Sequence, residues 1–110
     1  MLTILYRISV KALIIGDIYK QMSVLSRKVQ LYHWRLHGGA EVDLLLERDG
    51  VLYPVEVKLG TRLSRKDARG LRMLRETYPG QRLAPGLVIA PVERLEQLTD
   101  HDYAVPWDMC

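Results

Sequence analysis

Three side chains within "GGAEVDLLLERDGVLYPVEVKLG" (38–60) are of types that work together. Asp43 lies in one alternating apolar stretch, Glu56 lies in the next, and Lys58 stands two places beyond Glu56. Carboxylates brought close together need a compensating positive charge. A shared proton, a bound cation or the lysine could supply it. A divalent ion is the most economical choice, because hard cations take several oxygen ligands and adjacent strands hold carboxylates rigidly. Glu41 precedes Asp43 by two places and so points to the same side of a strand.

The elements that must position these groups are legible. "EVDLLLER" (41–48) and "VLYPVEVKL" (51–59) flank Asp49-Gly50. A two-residue Asp-Gly loop between alternating runs is the strongest short-range signal for a hairpin. With Arg48 opposite Val51, Asp43 falls opposite Glu56 and Glu41 opposite Lys58. Both pairs sit at the closer, non-hydrogen-bonded sites, with all four side chains on one face. Two carboxylates on the order of 5 Å apart repel by roughly 3 kcal/mol at an effective dielectric of about 20. Neutralising Asp43 as Asn is therefore expected to stabilise the metal-free protein. The same pattern also suits a solvated polar face, on which Glu41–Lys58 is an exposed ion pair worth under about 1 kcal/mol.

Around the hairpin, Val42, Leu44 and Leu46 are expected to share one strand face, and Tyr53, Val55, Val57 and Leu59 another. Residues 8–26 read as a helix, with Val10, Leu13, Ile14, Ile18, Met22 and Leu25 recurring at spacings of three and four and Asp17 among them. "LYHWRL" (31–36) reads as a strand and His37-Gly38-Gly39 as a turn. A second helix spans 64–78. Ser64 and Asp67 form its capping box, Leu71, Leu74 and Tyr78 its stripe, and Pro79-Gly80 its end. Gly70 inside it permits a close approach to the sheet. "GLVIA" (86–90) is a short buried strand, and "DYAVPW" (102–107) an edge strand. Strand, helix and strand in this order imply a parallel, right-handed crossover. The expected fold is α/β, a mixed sheet combining an antiparallel hairpin with that β-α-β crossover, helices packed on the sheet.

Asp43 followed by Glu56-Val57-Lys58 on the next strand resembles the PD-(D/E)XK nuclease superfamily, whose restriction-endonuclease-like core has this order of elements. The longer stretch "GDIYKQ…LYHWRLHGGAEVDLLLERDGVLYPVEVKLG…SRKDARGLRMLRE" resembles the nuclease-like domain of unknown function found C-terminal to prokaryotic AAA-type ATPase domains. That likeness covers about residues 12–107. It implies one nuclease-like domain over 1–110, either the C-terminal part of a longer ATPase-type protein or a stand-alone version. It also implies that Asp43 and Glu56 hold Mg²⁺ or Mn²⁺, and that Lys58 orients or helps to deprotonate the attacking water. Asp17 stands where related nucleases often carry a helical glutamate. Glu41 becomes an extra ligand or the partner of Lys58. Val42 replaces the Pro that usually precedes the Asp. The implied partners are DNA and an AAA-type ATPase domain in cis or in trans.

The totals are consistent with this and exclude other classes. With 110 residues there is material for one domain and a modest core. The net charge of +3 permits a nucleic-acid partner without requiring one. One cysteine, Cys110, excludes a disulfide framework and suits a reducing cytoplasm. Arg7 and Lys11 break the apolar N-terminal run, so no membrane span is expected. There is no phosphate-binding loop. Arg65, Lys66, Arg69, Arg72 and Arg75 gather on the second helix, with Arg62 just before it, as a contact surface for a phosphate backbone or as an ordinary solvated face. Tyr32 and Trp34 share a strand face, for covering the sheet or stacking on bases. His33, His37 and His101 lack metal-site spacing. The expected activity is a metal-dependent DNA phosphodiesterase. The alternatives are a non-catalytic docking domain for DNA or protein, and a packing or dimerisation (homo-oligomer) domain whose apolar N-terminal helix completes a partner.

Overall fold

The computed structural model describes residues 30–109 and, ahead of them, Ile15, Ile18, Lys20 and Gln21. Those four have helical backbone; the rest of the expected helix over 8–26, including Asp17, lies outside the described residues. The elements that follow are β1 (Gln30–Arg35), β2 (Glu41–Arg48), β3 (Val51–Val57), a 3-10 turn (Arg65–Ala68), α1 (Arg69–Thr77), β4 (Arg82–Leu83), β5 (Gly86–Ala90), β6 (Glu96–Gln97), β7 (Asp102–Pro106) and a closing 3-10 turn (Trp107–Met109).

Asp49 and Gly50 both have positive φ, 54° and 79°. That is the backbone of a type I′ turn, which matches the twist of the strands it joins. The turn fixes the expected register, with Arg48 opposite Val51 and Leu44 opposite Val55. β1, β2 and β3 pair antiparallel, β3, β5 and β7 pair parallel, and β6 returns antiparallel to β7. The strand order is β1-β2-β3-β5-β7-β6, with β4 beside β3. The sheet is thus mixed, and the connection from β3 to β5 is a crossover through α1, as expected. Two details differ. β7 is not an edge strand, because β6 covers it at Tyr103 and Ala104; Pro106 is tolerated at its end, past those paired residues. Strands of two residues such as β4 and β6 carry too few side chains to show a period.

Both halves of the capping box form at the helix start. The Ser64 N–H donates to Asp67 Oδ2 at 2.8 Å, and Ser64 Oγ accepts from the Lys66 N–H. Leu71 and Leu74 are fully buried, packed with Ala68 against Val42, Leu45 and Val88. Gly70 makes that packing possible: a Cβ there would run into the Glu41 carbonyl oxygen.

The opposite sheet face buries Leu44, Val55, Val57 and Ile89, with Ile15, Ile18 and Leu46 against them. Val42 and Leu44 therefore do not share a face as the alternation predicts. The cause is a β-bulge. Tyr32 pairs with Leu45 but Trp34 pairs with Val42, so Asp43 and Leu44 together oppose the single residue His33. An extra residue bends the strand and reverses which side its neighbours face. Among the described residues, no helix is long and apolar enough to cross a membrane.

Candidate active site at the bulge

The bulge falls on Asp43 and re-aims its backbone. The regular ladder between β2 and β3 ends at Leu44 and Val55. Beyond it the side chains take over the bridging. The Asp43 N–H donates to Glu56 Oε1 at 2.7 Å, and the Val57 N–H donates to Asp43 Oδ2 at 2.8 Å. Each carboxylate is thereby locked to the other strand's backbone. Asp43 is 8% exposed and Glu56 3%, which rules out the solvated-face reading.

Two carboxylates buried on neighbouring strands need compensation, and donors among the described residues contribute to it. The two amide N–H groups are charge-assisted donors. Lys58 is the third, its Nζ 3.6 Å from Glu56 Oε2. Lys58 lies just past β3, held by its N–H donating to the Ile89 carbonyl at 2.9 Å. Its side chain is about a third exposed.

Glu41 sits differently from expectation. It pairs with Arg35 at 3.2 Å and lies 3.7 Å from His33 Nε2, whereas Lys58 pairs with Glu56. His33 was not anticipated here. Its Nδ1–H donates to the Asp43 carbonyl at 3.2 Å, so the residue opposite the bulge holds the backbone that the bulge displaces. The only sequence sign of this was the run Leu44-Leu45-Leu46, which breaks strict alternation. Trp34 packs on the helix-side core and meets Tyr78 edge-on, the ring centroids 6.4 Å apart; it covers the sheet. Tyr32 is 48% exposed.

The chemistry of the donor set fits a hard divalent cation. Mg²⁺ is commonly held by one or two carboxylates, with water and phosphate oxygens completing its shell. Among the described residues there is no group of three or more acidic, His or Cys side chains arranged as a metal site, and Asp17 lies outside them.

The basic residues of the second helix face a groove of about 720 Å³ between that helix and the loop 99–101, lined by Arg65, Lys66, Arg69, Arg72 and His101 among others. Arg75 also lines it but serves the fold. It grips Asp102, which is fully buried, through two bonds of 2.7 Å, and Thr99 Oγ1 donates to the same carboxylate at 2.6 Å. Arg75 is therefore not an available phosphate contact. Arg62 precedes the helix and is exposed, outside the groove lining.

Fold and site together define a mixed α/β domain with a buried carboxylate pair where a bulged hairpin opens. Residues 9–110 match the domain of unknown function DUF4143, and the chain belongs to that family. No curated protein and no solved structure matches the chain.

Proposed function

We propose that this domain is a PD-(D/E)XK-type, Mg²⁺- or Mn²⁺-dependent phosphodiesterase acting on DNA. The observation that carries the reading is the buried Asp43–Glu56 pair with Lys58 beside it. Structural ion pairs do not usually place two carboxylates against each other in the interior, because desolvation and mutual repulsion both oppose it. In this reading Asp43 and Glu56 hold the ion, with Asp17 and Glu41 as further candidate ligands. The ion would polarise the phosphate and activate a water. Lys58 offsets charge on the phosphate and positions or takes a proton from the water. The two backbone N–H bonds keep the carboxylates oriented before substrate arrives, and His33 fixes the backbone of Asp43.

The first test is Mn²⁺ titration by calorimetry on the wild type and on Asp43→Asn with Glu56→Gln. These substitutions keep an oxygen for each backbone N–H while removing both charges. The expected result is binding by the wild type and none by the variant, with Mn²⁺-dependent cleavage of DNA lost in parallel. Equal heats from both proteins would sink the metal site.

A second reading is a non-catalytic docking domain for DNA or protein attached to an AAA-type ATPase in cis or in trans. The exposed basic residues along the second helix, which a docking surface for DNA would use, favour it. Metal binding without cleavage of any DNA form would select it.

A further inference from the structure

We infer that the groove between the second helix and the loop 99–101 is a separate seat for a phosphodiester backbone, leading away from the carboxylate pair. The inference shares with the proposed function the assumption of a nucleic-acid ligand, but it concerns other residues and does not need the metal.

The placement follows from three contacts. At one end, Gly70 lies against the backbone of Glu41, two residues from Asp43, so the helix starts at the carboxylate end of the sheet. At the other end, Arg75 is clamped to Asp102, the first residue of β7. Since β7 runs parallel to β5, and β5 to β3, Asp102 lies two register steps before the level of Glu56, away from the carboxylate end of β3. Arg72 lies between these two contacts, and Arg65, Lys66 and Arg69 lie just ahead of them on the 3-10 turn and the helix start; all four are exposed. The seven steps from Arg65 to Arg72 cover roughly 11 Å at about 1.5 Å each. One strand of B-DNA advances about 3.4 Å per phosphate, so the path matches on the order of three phosphates.

The groove walls suit a backbone better than a compact apolar ligand. Four exposed cations line one side. Of these, Arg72 lies 3.9 Å from Glu76, an exposed pair that competes weakly with a phosphate. The other wall is the loop 99–101, which presents His101 and the exposed Asp100, one carboxylate against the four cations opposite. That loop is pinned from beneath: Thr99 Oγ1 donates to Asp102 and accepts from the His101 N–H, and the His101 carbonyl accepts from the Gly86 N–H. The Arg75–Asp102 clamp thus sets the groove width, so a positioned cleft rather than a loose charged face meets the ligand.

The test is fluorescence anisotropy with a labelled DNA duplex of about 20 base pairs over a range of salt, in metal-free buffer. Arg65→Glu with Arg69→Glu is expected to weaken binding by at least about tenfold and to lower the slope of log K against log salt by about two. Arg82→Glu with Arg94→Glu changes the net charge equally at exposed positions outside the groove and is expected to stay within about threefold. His101→Ala is expected to weaken binding about twofold to threefold. Equal loss from both charge reversals, or no duplex binding by the wild type, would overturn the inference. Asp43→Asn with Glu56→Gln separates the two proposals. Groove-dependent binding retained in that variant supports the seat whether or not the wild type cleaves DNA. Cleavage by the wild type that survives Arg65→Glu with Arg69→Glu overturns the seat and leaves the carboxylate site standing.

Discussion

Asp43 combines two roles that a substitution can separate. Its carboxylate is a hydrogen-bond acceptor for the Val57 N–H and a negative charge beside Glu56. Asp43→Asn keeps an acceptor and removes the charge, so in metal-free buffer it should raise the melting temperature by a few degrees, about 1 kcal/mol. Asp43→Ala removes both and leaves a buried N–H unpaired, so it should lower stability by about 1–3 kcal/mol. Differential scanning calorimetry of the two variants reads the contrast directly; a fall in both would mean that the repulsion is already fully offset. The hairpin was legible because the Asp49-Gly50 turn counts the register, which holds as far as Leu44 opposite Val55; beyond it Asp43 and Glu56 each bond the other strand's backbone. The burial of the pair was not, since depth depends on α1 arriving from above. Nor could sequence supply His33 and Arg35, because a bulge changes partners without changing composition.

At the scale of elements, α1 is fixed by two contacts that ordinary propensity misjudges. Alanine favours a helix interior over glycine by roughly 1 kcal/mol. Gly70→Ala should nonetheless destabilise the protein by about 1–3 kcal/mol, because the new methyl meets the Glu41 carbonyl. Urea unfolding gives the sign, and a gain in stability would show that the helix can lift from β2. Asp102→Ala should be more severe, about 3–5 kcal/mol in the same measurement, since it strands the Arg75 guanidinium against the buried start of β7. The helix cap, the turn and the parallel crossover were legible because each has a local signature. The clamp joins residues 27 apart and has none.

For the whole molecule, a metal at the proposed site would bind the folded chain alone and so stabilise it. Mn²⁺ at about a hundredfold over its dissociation constant is expected to add about 2.7 kcal/mol. The midpoint should rise several degrees in the wild type and not at all in Asp43→Asn with Glu56→Gln; equal rises in both would indicate binding elsewhere. The sheet makes this linkage direct. The pair bridges β2 to β3, and β3 carries both the antiparallel hairpin and the parallel half of the sheet. Tightening that joint stiffens the connection between the two halves.

The bulge also works as a slip joint. Between Asp43 and the Asp49-Gly50 turn, β2 keeps step with one spacing of β1; between Asp43 and the turn at 37–39 it keeps step with another. A length change near either turn can be taken up at the joint before it reaches the other. Drift accumulated at the hairpin tip or at the glycine turn is therefore tolerable so long as the joint itself is spared. Deleting one residue at 43–44 would make a more regular ribbon, and that ribbon would carry its remaining acidic group on the wrong side.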